Sequence, residues 1–311
     1  MRAFRLEGQH FVETKDSNQA TLILYDNPSQ DEMDDLHQKE EIPLDFITDS
    51  LNRYMIPRKE TFRNSQQTDI QLLLFLYPLM KIDETNRLEY QTLPISIITL
   101  EKKVIMIYSK EPPFLKNVLN SNGNYDDSLF ILQLLWQLTN EYIEAITRID
   151  DMIENMEENI VHTTRNEAFY KMIAINKSLV YFETGITKNH DIIAHLFDHL
   201  QEGKVSDAGE LLHDIRVLSN QAKVMRKESD EMISHLSEVF SSVISNNLNN
   251  IMKFLTSLTI VLTIPTIIGS YWGMNVALPF EDDGFAFLLL VGVSIILGIL
   301  TVFWLKKKDY L

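Results

Sequence analysis

The 311-residue sequence contains no cysteine, which excludes disulfide bonds and thiolate metal sites. It also lacks a His-Glu-x-x-His helix, a Gly-x-Ser-x-Gly elbow and a Gly-x-x-x-x-Gly-Lys phosphate loop. These patterns carry common hydrolytic and nucleotide-driven chemistry, so their absence argues against an enzyme. We expect no resident cofactor and no use of ATP.

Charged residues are missing from two long stretches near the C-terminus, residues 254–272 and 285–305. Each run has about the 20 apolar residues that a helix needs to cross a bilayer. Lys and Arg are absent between Lys253 and Lys306, and Lys306–Lys308 follow the second run. Because basic residues stay on the cytoplasmic side, the sequence predicts a multi-pass cell-membrane protein with both termini in the cytoplasm.

The remaining charge lies in the rest of the chain. The net charge is −16, and residues 253–311 contribute nothing to it, because their four lysines balance four acidic residues. Residues 1–252 therefore carry the whole excess, which argues against a nucleic-acid partner. A solvated acidic domain is one interpretation, and a domain that concentrates divalent cations is another.

Residues 1–125 are typical of a mixed α/β domain in the cytoplasm. A short helix is predicted at residues 43–52, and Ser121–Asn124 marks a domain boundary. Runs of β-branched and aromatic residues predict four strands, at Thr21–Tyr25, Asp69–Tyr77, Ile95–Leu100 and Val104–Tyr108.

Residues 126–252 predict a stalk of long cytoplasmic helices, and residues 253–311 form the membrane part. A second helix is predicted from Glu167 to Leu200, and a third from Asp207 to Trp272, about 100 Å long if unbroken. The first long helix has an apolar seam at steps of three and four: Leu132, Leu135, Thr139, Tyr142, Ile146, Ile149, Ile153, Met156 and Ile160. The third continues this spacing with Leu212, Ile215, Ala222, Met232, Leu236, Phe240 and Val243.

The first apolar run carries a stripe of five hydroxyl groups at spacings of 3, 4, 3 and 4: Thr256, Thr259, Thr263, Thr266 and Ser270. Polar groups in membrane segments usually face the protein interior, so this hydroxyl stripe predicts the lining of a pathway. The alternative is that each hydroxyl only bonds a carbonyl of its own helix. Two spans cannot enclose a channel, so a pathway requires several copies around an axis. The second span has fewer polar groups and suits an outer ring.

The first apolar run ends in Gly273-Met274-Asn275. Such a triplet between two terminal spans, with Lys306–Lys308 closing the chain, resembles the CorA family of divalent-cation transporters. Residues 41–46 (Glu-Ile-Pro-Leu-Asp-Phe) and 56–60 (Ile-Pro-Arg-Lys-Glu) are similar to the family's N-terminal segment.

This resemblance implies a homopentamer in which an α/β cytoplasmic domain and long helices lead into two transmembrane helices. It implies passive, potential-driven transport of Mg²⁺, with Co²⁺ and Ni²⁺ as further substrates. Gly273, Met274 and Asn275 would form an external selectivity filter, and Asn249 and Leu255 would line the pore. Carboxylates for regulatory cytosolic Mg²⁺ would be Asp214 and Glu238, opposed by Asp83 or Glu84 of a neighbouring subunit.

The chemistry of the filter follows from the ion. Mg²⁺ gives up its water reluctantly, so oxygen acceptors outside a hydrated ion hold it more cheaply than direct ligands do. Backbone carbonyls and the Asn275 amide oxygen supply such acceptors without a fixed charge. Gly273 is expected to permit a backbone turn that a side chain would obstruct.

The sequence departs from the family beside the triplet. Trp272 stands where the family usually has Tyr, and Pro279 comes one residue early and is followed by Phe280 instead of Glu. An acidic external loop, Glu281, Asp282 and Asp283, follows. These differences leave the ion preference open.

Two alternatives remain. His195 and His199 share a helical face and could hold Zn²⁺, but no third ligand is fixed by the spacing, so a solvated helix tip is the favoured interpretation. They keep a zinc transporter of the related ZntB branch as the nearest alternative. A membrane-anchored coiled-coil scaffold without transport is the other, but it would have no need of the hydroxyl stripe.

Overall fold

The computed structural model describes residues 1–8, 10–17, 19–65, 67–82, 87–100, 103–120, 127–158, 165–200, 207–275, 284–308 and 310, without the side chains of 127, 128, 165, 197–200 and 207. Its contacts divide the chain into two units, Met1–Leu236 and Ser237–Leu311. This division by contacts does not test the predicted domain boundaries at residues 125 and 252, which stay predictions.

The first unit is built on one seven-stranded sheet. Its strands are β1 (Arg2–Glu7), β2 (His10–Thr14), β3 (Leu22–Asp26), β4 (Arg58–Arg63), β5 (Asp69–Ile82), β6 (Leu88–Leu100) and β7 (Lys103–Tyr108). They lie in the order β2-β1-β3-β7-β6-β5-β4, in which β3 and β7 run parallel and all other neighbours antiparallel. All four predicted strands are confirmed, whereas β1, β2 and β4 were not predicted.

Strands β5 and β6 form a longer hairpin than the sequence predicted. Pro94 lies opposite Leu76 and Pro78 opposite Thr92, and prolines normally argue against a strand interior. Leu76, however, lies beyond the end of β4, and the buried side chain of Asn189 takes the place of that strand. The Leu76 N–H donates to the Asn189 amide oxygen at 3.1 Å, and the Asn189 NH₂ group donates to the Leu76 carbonyl at 2.7 Å. Because Leu76 turns its hydrogen-bonding groups to Asn189, its pairing with Pro94 needs no N–H from proline.

Short helices cover the sheet. They are α1 (Gln30–Lys39), α2 (Leu44–Thr48) and α3 (Leu115–Asn120). The predicted helix at 43–52 is confirmed as α2 followed by a 3₁₀ turn at Asp49–Leu51. Leu36, Phe46 and Ile47 from the helices share one buried cluster with alternate residues of β5. The intervening Leu73 and Phe75 are also fully buried, so both faces of this strand are covered.

Four long helices follow: α4 (Asp127–Glu158), α5 (Arg165–Leu200), α6 (Asp207–Trp272) and α7 (Gly284–Lys307). The seam predicted on α4 is buried from Leu132 to Ile153, while Ile160 lies outside the described residues. On α6 the predicted place of Met232 in the buried seam is wrong, since Met232 is 42% exposed and its neighbour Ile233 is fully buried. The second and third predicted helices are confirmed.

In the first unit, α6 is held against α4 and α5 by polar contacts. The Ser229 hydroxyl donates to Asp150 at 2.5 Å, and Arg226 pairs with Glu183 at 2.5 Å. The Tyr142 and Phe182 rings of α4 and α5 meet edge to face with centroids 5.4 Å apart.

The expected fold class, an α/β domain with long helices and two apolar C-terminal helices, is confirmed.

Candidate functional site

The second unit is a hairpin made by the C-terminal part of α6 and by α7. Both helices are long and apolar enough to cross a membrane. They contain the predicted spans 254–272 and 285–305, and Pro265 lies inside α6 without ending it. Side chains such as Leu262 and Leu300 are 59% and 58% exposed in the single chain. Such a surface requires lipid or other protein chains around it.

The hydroxyl stripe lies on one exposed face of α6. Thr259, Thr263, Thr266 and Ser270 each donate to the carbonyl four residues earlier, at 2.7–2.9 Å. The alternative interpretation is therefore correct for these four hydroxyl hydrogens, since each is donated to a carbonyl of the same helix. It leaves the oxygen lone pairs of the stripe available as acceptors, so it does not exclude a lining role.

The stripe faces away from α7. On α6, Ser257 is fully buried, and Val261, Ile264 and Ile268 are half-buried. At 3.6 residues per turn, the hydroxyl stripe is centred about 150° around the helix from these residues. The hairpin thus presents an apolar side to α7 and a hydroxyl side to the opposite direction.

An apolar groove of about 740 Å³ separates α6 from α7 along most of the hairpin. From α6 it is lined by Pro265, Gly269 and Trp272, and from α7 by Leu290, Gly298 and Val302. No stripe hydroxyl lines it. The groove and the stripe are therefore separate surfaces of the same hairpin.

Gly273, Met274 and Asn275 lie at the exposed end of α6. The Gly273 N–H donates to the Gly269 carbonyl at 3.0 Å, which continues the helical pattern by one residue. The expected need for glycine is wrong for the single chain. Gly273 does not have a left-handed φ, and a Cβ there would lie 3.4 Å from the Gly269 oxygen, an ordinary contact. Among the described residues of the chain, nothing requires glycine at this position.

The residues predicted at the other end of the pathway are also exposed. Leu255 is 54% exposed, and the amides of Asn246, Asn247, Asn249 and Asn250 lie on exposed positions of α6. Their lining roles stay predictions. The acidic loop Glu281, Asp282 and Asp283 lies outside the described residues.

The predicted regulatory residues are not brought together in one chain. Asp214 and Glu238 are exposed, and they lie 24 positions apart on one helix, so no single ion can contact both. Asp83 and Glu84 lie outside the described residues. A site shared between subunits is therefore the arrangement left for these carboxylates, and it stays a prediction.

The proposed zinc ligands do not form a described site. His195 is exposed on α5, and the side chain of His199 lies outside the described part of the chain. Among the described residues, no group of three or more His, Asp or Glu side chains could hold a metal ion. Another histidine of α5, His190, contacts the Ser219 hydroxyl at 3.0 Å, and burial together with Lys223 lowers the pKa of His190.

Sequence reasoning missed one contact of the hairpin. The Ser257 hydroxyl donates to the Tyr310 carbonyl at 3.1 Å, and the Lys253 ammonium lies 5.9 Å from the centre of the Tyr310 ring. The only signal in the sequence was that Ser257 falls outside the 3-4-3-4 register of the stripe. That signal does not predict that Ser257 contacts Tyr310.

Fold and site together define a class of protein: a membrane protein with an α/β domain, a long helix and two C-terminal transmembrane helices. Residues 17–307 match the family model described as CorA-like Mg²⁺ transporter protein. The chain therefore belongs to this family.

Known proteins agree with this assignment. The chain is 22% identical over 295 residues to the cobalt/magnesium transport protein CorA of Methanocaldococcus jannaschii, covering 92% of this chain and 89% of that protein. The complete structure of the CorA magnesium transporter from the same organism matches with a TM-score of 0.80 at 19% identity, covering 100% of this chain and 98% of that one.

The ZntB cytoplasmic domain of Vibrio parahaemolyticus matches with a TM-score of 0.56 at 12% identity, covering 79% of this chain and 97% of that domain. This likeness concerns the fold alone. The predicted resemblance to the CorA family is confirmed, and membership in a transporter family agrees with the expectation that the chain is not an enzyme.

Proposed function

We propose that this protein carries divalent cations passively across the cell membrane, with Mg²⁺ as the main substrate and Co²⁺ and Ni²⁺ as further ones. One observation carries the proposal: the hydroxyl stripe of α6 turns away from α7 and leads to Gly273-Met274-Asn275. Membership in the CorA-like family and likeness to a cobalt/magnesium transport protein support it.

The pathway lies between subunits. The described part of one chain supplies two transmembrane helices, which are too few to enclose an ion path, so identical copies must surround it. In this arrangement the hydroxyl stripe faces the axis and α7 forms an outer ring against lipid. The resemblance makes the ring a pentamer, with residues 1–125 as the cytoplasmic domain, 126–252 as the stalk and 253–311 as the membrane part.

The filter is the ring of Gly273-Met274-Asn275 at the outer end of α6. Asn275 oxygens and backbone carbonyls, repeated around the axis, accept hydrogen bonds from the water shell of the ion. Below it follow the hydroxyl stripe, an apolar constriction at Leu255 and the amide of Asn249. An inside-negative potential of 100 mV would drive a divalent ion inward with about 4.6 kcal/mol, so no ATP is needed.

Both termini lie in the cytoplasm in this proposal, and Glu281, Asp282 and Asp283 lie outside, where they raise the local cation concentration. On the cytoplasmic side, Asp214 and Glu238 bind regulatory Mg²⁺ against carboxylates of a neighbouring subunit, with Asp83 as the first choice of partner. The net charge of −16 supports this scheme, since bound cations would relieve repulsion between subunits.

The test is ion flux into proteoliposomes that contain the purified full-length protein and, in separate samples, dyes sensitive to Mg²⁺, Co²⁺ or Zn²⁺. The proposal expects Mg²⁺ uptake that increases with an inside-negative potential and proceeds without ATP. Uptake of Zn²⁺ with no Mg²⁺ signal would favour the ZntB-like alternative. A protein that assembles but moves none of the three ions would favour the scaffold.

A further inference from the structure

The end of the hairpin that carries its basic residues is closed by the last residues of the chain. The N–H groups of Lys308 and Tyr310 both donate to the Leu305 carbonyl at 3.1 Å, which turns the backbone back toward α6. There the Tyr310 carbonyl accepts the Ser257 hydroxyl at 3.1 Å. Ser257 and Leu305 are fully buried at this contact, with exposures of 0% and 1%.

The bond made by Ser257 differs from those of the neighbouring hydroxyls. Thr259 and Thr263 on α6, and Ser294 and Thr301 on α7, donate to carbonyls of their own helix. Ser257 instead donates to a segment 53 residues away. The contact therefore fixes where the C-terminal turn lies, and it does not arise from helix geometry.

This turn brings the basic residues of both helices to one end of the hairpin. The Tyr310 ring lies 5.9 Å from the Lys253 ammonium, and Lys306, Lys307 and Lys308 precede it with exposed side chains. We name these four lysines the basic end. In the described part of the second unit, no Asp or Glu occurs after Glu238. The sequence adds only Asp309 at this end, outside the described residues.

The position of the basic end relative to the apolar runs indicates its partner. Lys253 directly precedes an uncharged stretch of 19 residues, and Lys306 directly follows one of 21. Both ammonium groups therefore stand at the depth of lipid headgroups, where lysine side chains reach the polar layer. Glu238 lies 15 residues before Lys253, about 22 Å along the helix, so it is too distant to pair with it.

We propose that the basic end, closed by the Ser257–Tyr310 contact, is a binding surface for the phosphate headgroups of anionic phospholipids. Four lysines, with one aspartate beside them in the sequence, complement the negative surface of such a membrane. Each lysine near an anionic surface contributes about fivefold in affinity. Binding of lipid at the basic end does not depend on whether the protein moves ions.

Trp304 provides a local reporter, since it is 59% exposed on α7 and lies two residues before Lys306. The experiment uses the full-length chain with Trp136→Phe and Trp272→Phe, reconstituted into nanodiscs of phosphatidylcholine. Brominated phosphatidylglycerol or brominated phosphatidylcholine is added at equal mole fraction, and quenching of Trp304 emission is measured. We expect the anionic lipid to associate at least about fivefold more strongly, which is the contribution of a single lysine.

The matched variants separate the basic end from general charge. Replacing Lys253, Lys306, Lys307 and Lys308 with Gln should make the two brominated lipids quench Trp304 about equally, so that the ratio of their quenching is about one. Lys171→Gln, which removes a lysine paired with Glu167 in the first unit, should leave the ratio unchanged. Equal quenching by the two lipids in the unsubstituted protein would overturn the proposal, as would a preference that survives the four substitutions. Loss of the preference on adding 10 mM inorganic phosphate would also overturn it, because the site would then bind free anions.

Discussion

At the scale of single residues, one glycine of the first unit lets two helices reach the sheet together. The Tyr142 hydroxyl of α4 donates to the Leu76 carbonyl at 3.0 Å, in the same place where Asn189 of α5 bonds this residue. The Tyr142 side chain passes Gly185 of α5 to reach the Leu76 carbonyl. A Cβ at Gly185 would lie 2.1 Å from the Tyr142 oxygen, far closer than any real contact.

We therefore predict that Gly185→Ala destabilises the protein by about 1–3 kcal/mol, the usual cost of overpacking a core. The hydroxyl of Tyr142 must move, and burial already raises the pKa of Tyr142 well above its usual value because the group has no access to water. The measurement is the thermal unfolding midpoint of the full-length protein in detergent.

Gly209→Ala is the matched control for this prediction. Gly209 lies in α6, and no described atom lies within 4 Å of an added Cβ, so alanine should be neutral or stabilising there. An unchanged midpoint for Gly185→Ala, with Gly209→Ala behaving as expected, would show that the Tyr142 hydroxyl does not occupy this position.

At the scale of elements, helical periodicity allowed most of the long helices to be predicted. The seam of α4 and the continuous α6 follow from residue spacing, because an amphipathic helix buries one stripe whatever it packs against. The extension of β5 and β6 could not be predicted, because it depends on Asn189, which lies 113 residues from Leu76. The Ser257–Tyr310 contact was missed for the same reason, since nothing local reveals a distant partner.

The hydroxyl stripe leads to an element-scale prediction. Thr263→Val keeps the shape of the side chain and removes one acceptor from the proposed lining, so Mg²⁺ flux should fall several-fold. Thr301→Val on α7 removes a hydroxyl that donates to its own helix at 2.8 Å, as Thr263 does at 2.7 Å, and should leave the flux unchanged. The measurement is dye-reported Mg²⁺ uptake by equal amounts of assembled protein. Equal effects of the two substitutions would contradict a lining role for the stripe.

The contact of α5 with α6 predicts a pH dependence of stability. Burial, together with Lys223 and Arg216, lowers the pKa of His190, while Asp191 opposes this effect. The unfolded chain then binds a proton more readily than the folded protein. Stability from this group is present above the ordinary histidine pKa of about 6.5 and is lost as the pH falls below it.

We expect the unfolding midpoint of the protein to drop between pH 7.5 and pH 5.5, and to drop less in His190→Gln. His195→Gln, on an exposed position of the same helix, should follow the unsubstituted protein. A pH dependence that is identical in all three proteins would remove His190 from this account.

At the scale of the whole molecule, the distribution of charge affects how copies of the chain can assemble. Residues 1–252 carry the net charge of −16, so copies packed side by side repel one another unless cations lie between them. Ion binding can close the ring only if it favours the closed arrangement over the open one. In the proposed scheme, exposed carboxylates such as Asp214 bind these cations.

We predict that Asp214→Lys weakens the inhibition of flux by cytosolic Mg²⁺ and reduces the protection of the cytoplasmic part from proteases in millimolar Mg²⁺. Glu210→Lys makes the same charge change four residues earlier on an exposed position of α6 and serves as the control. If both variants are inhibited and protected like the unsubstituted protein, the acidic domain does not bind regulatory ions at this position.

In the proposed pathway, ions pass a ring of Asn275 side chains. The resemblance of Gly273-Met274-Asn275 to the CorA family indicated this residue, and its side chain is exposed just beyond the end of α6. The most direct measurement is Mg²⁺ uptake into proteoliposomes by Asn275→Ala beside the unsubstituted protein, with assembly of both measured by crosslinking in the membrane. We predict that the variant assembles normally and takes up no Mg²⁺. Uptake by a fully assembled Asn275→Ala variant at the rate of the unsubstituted protein would contradict the account.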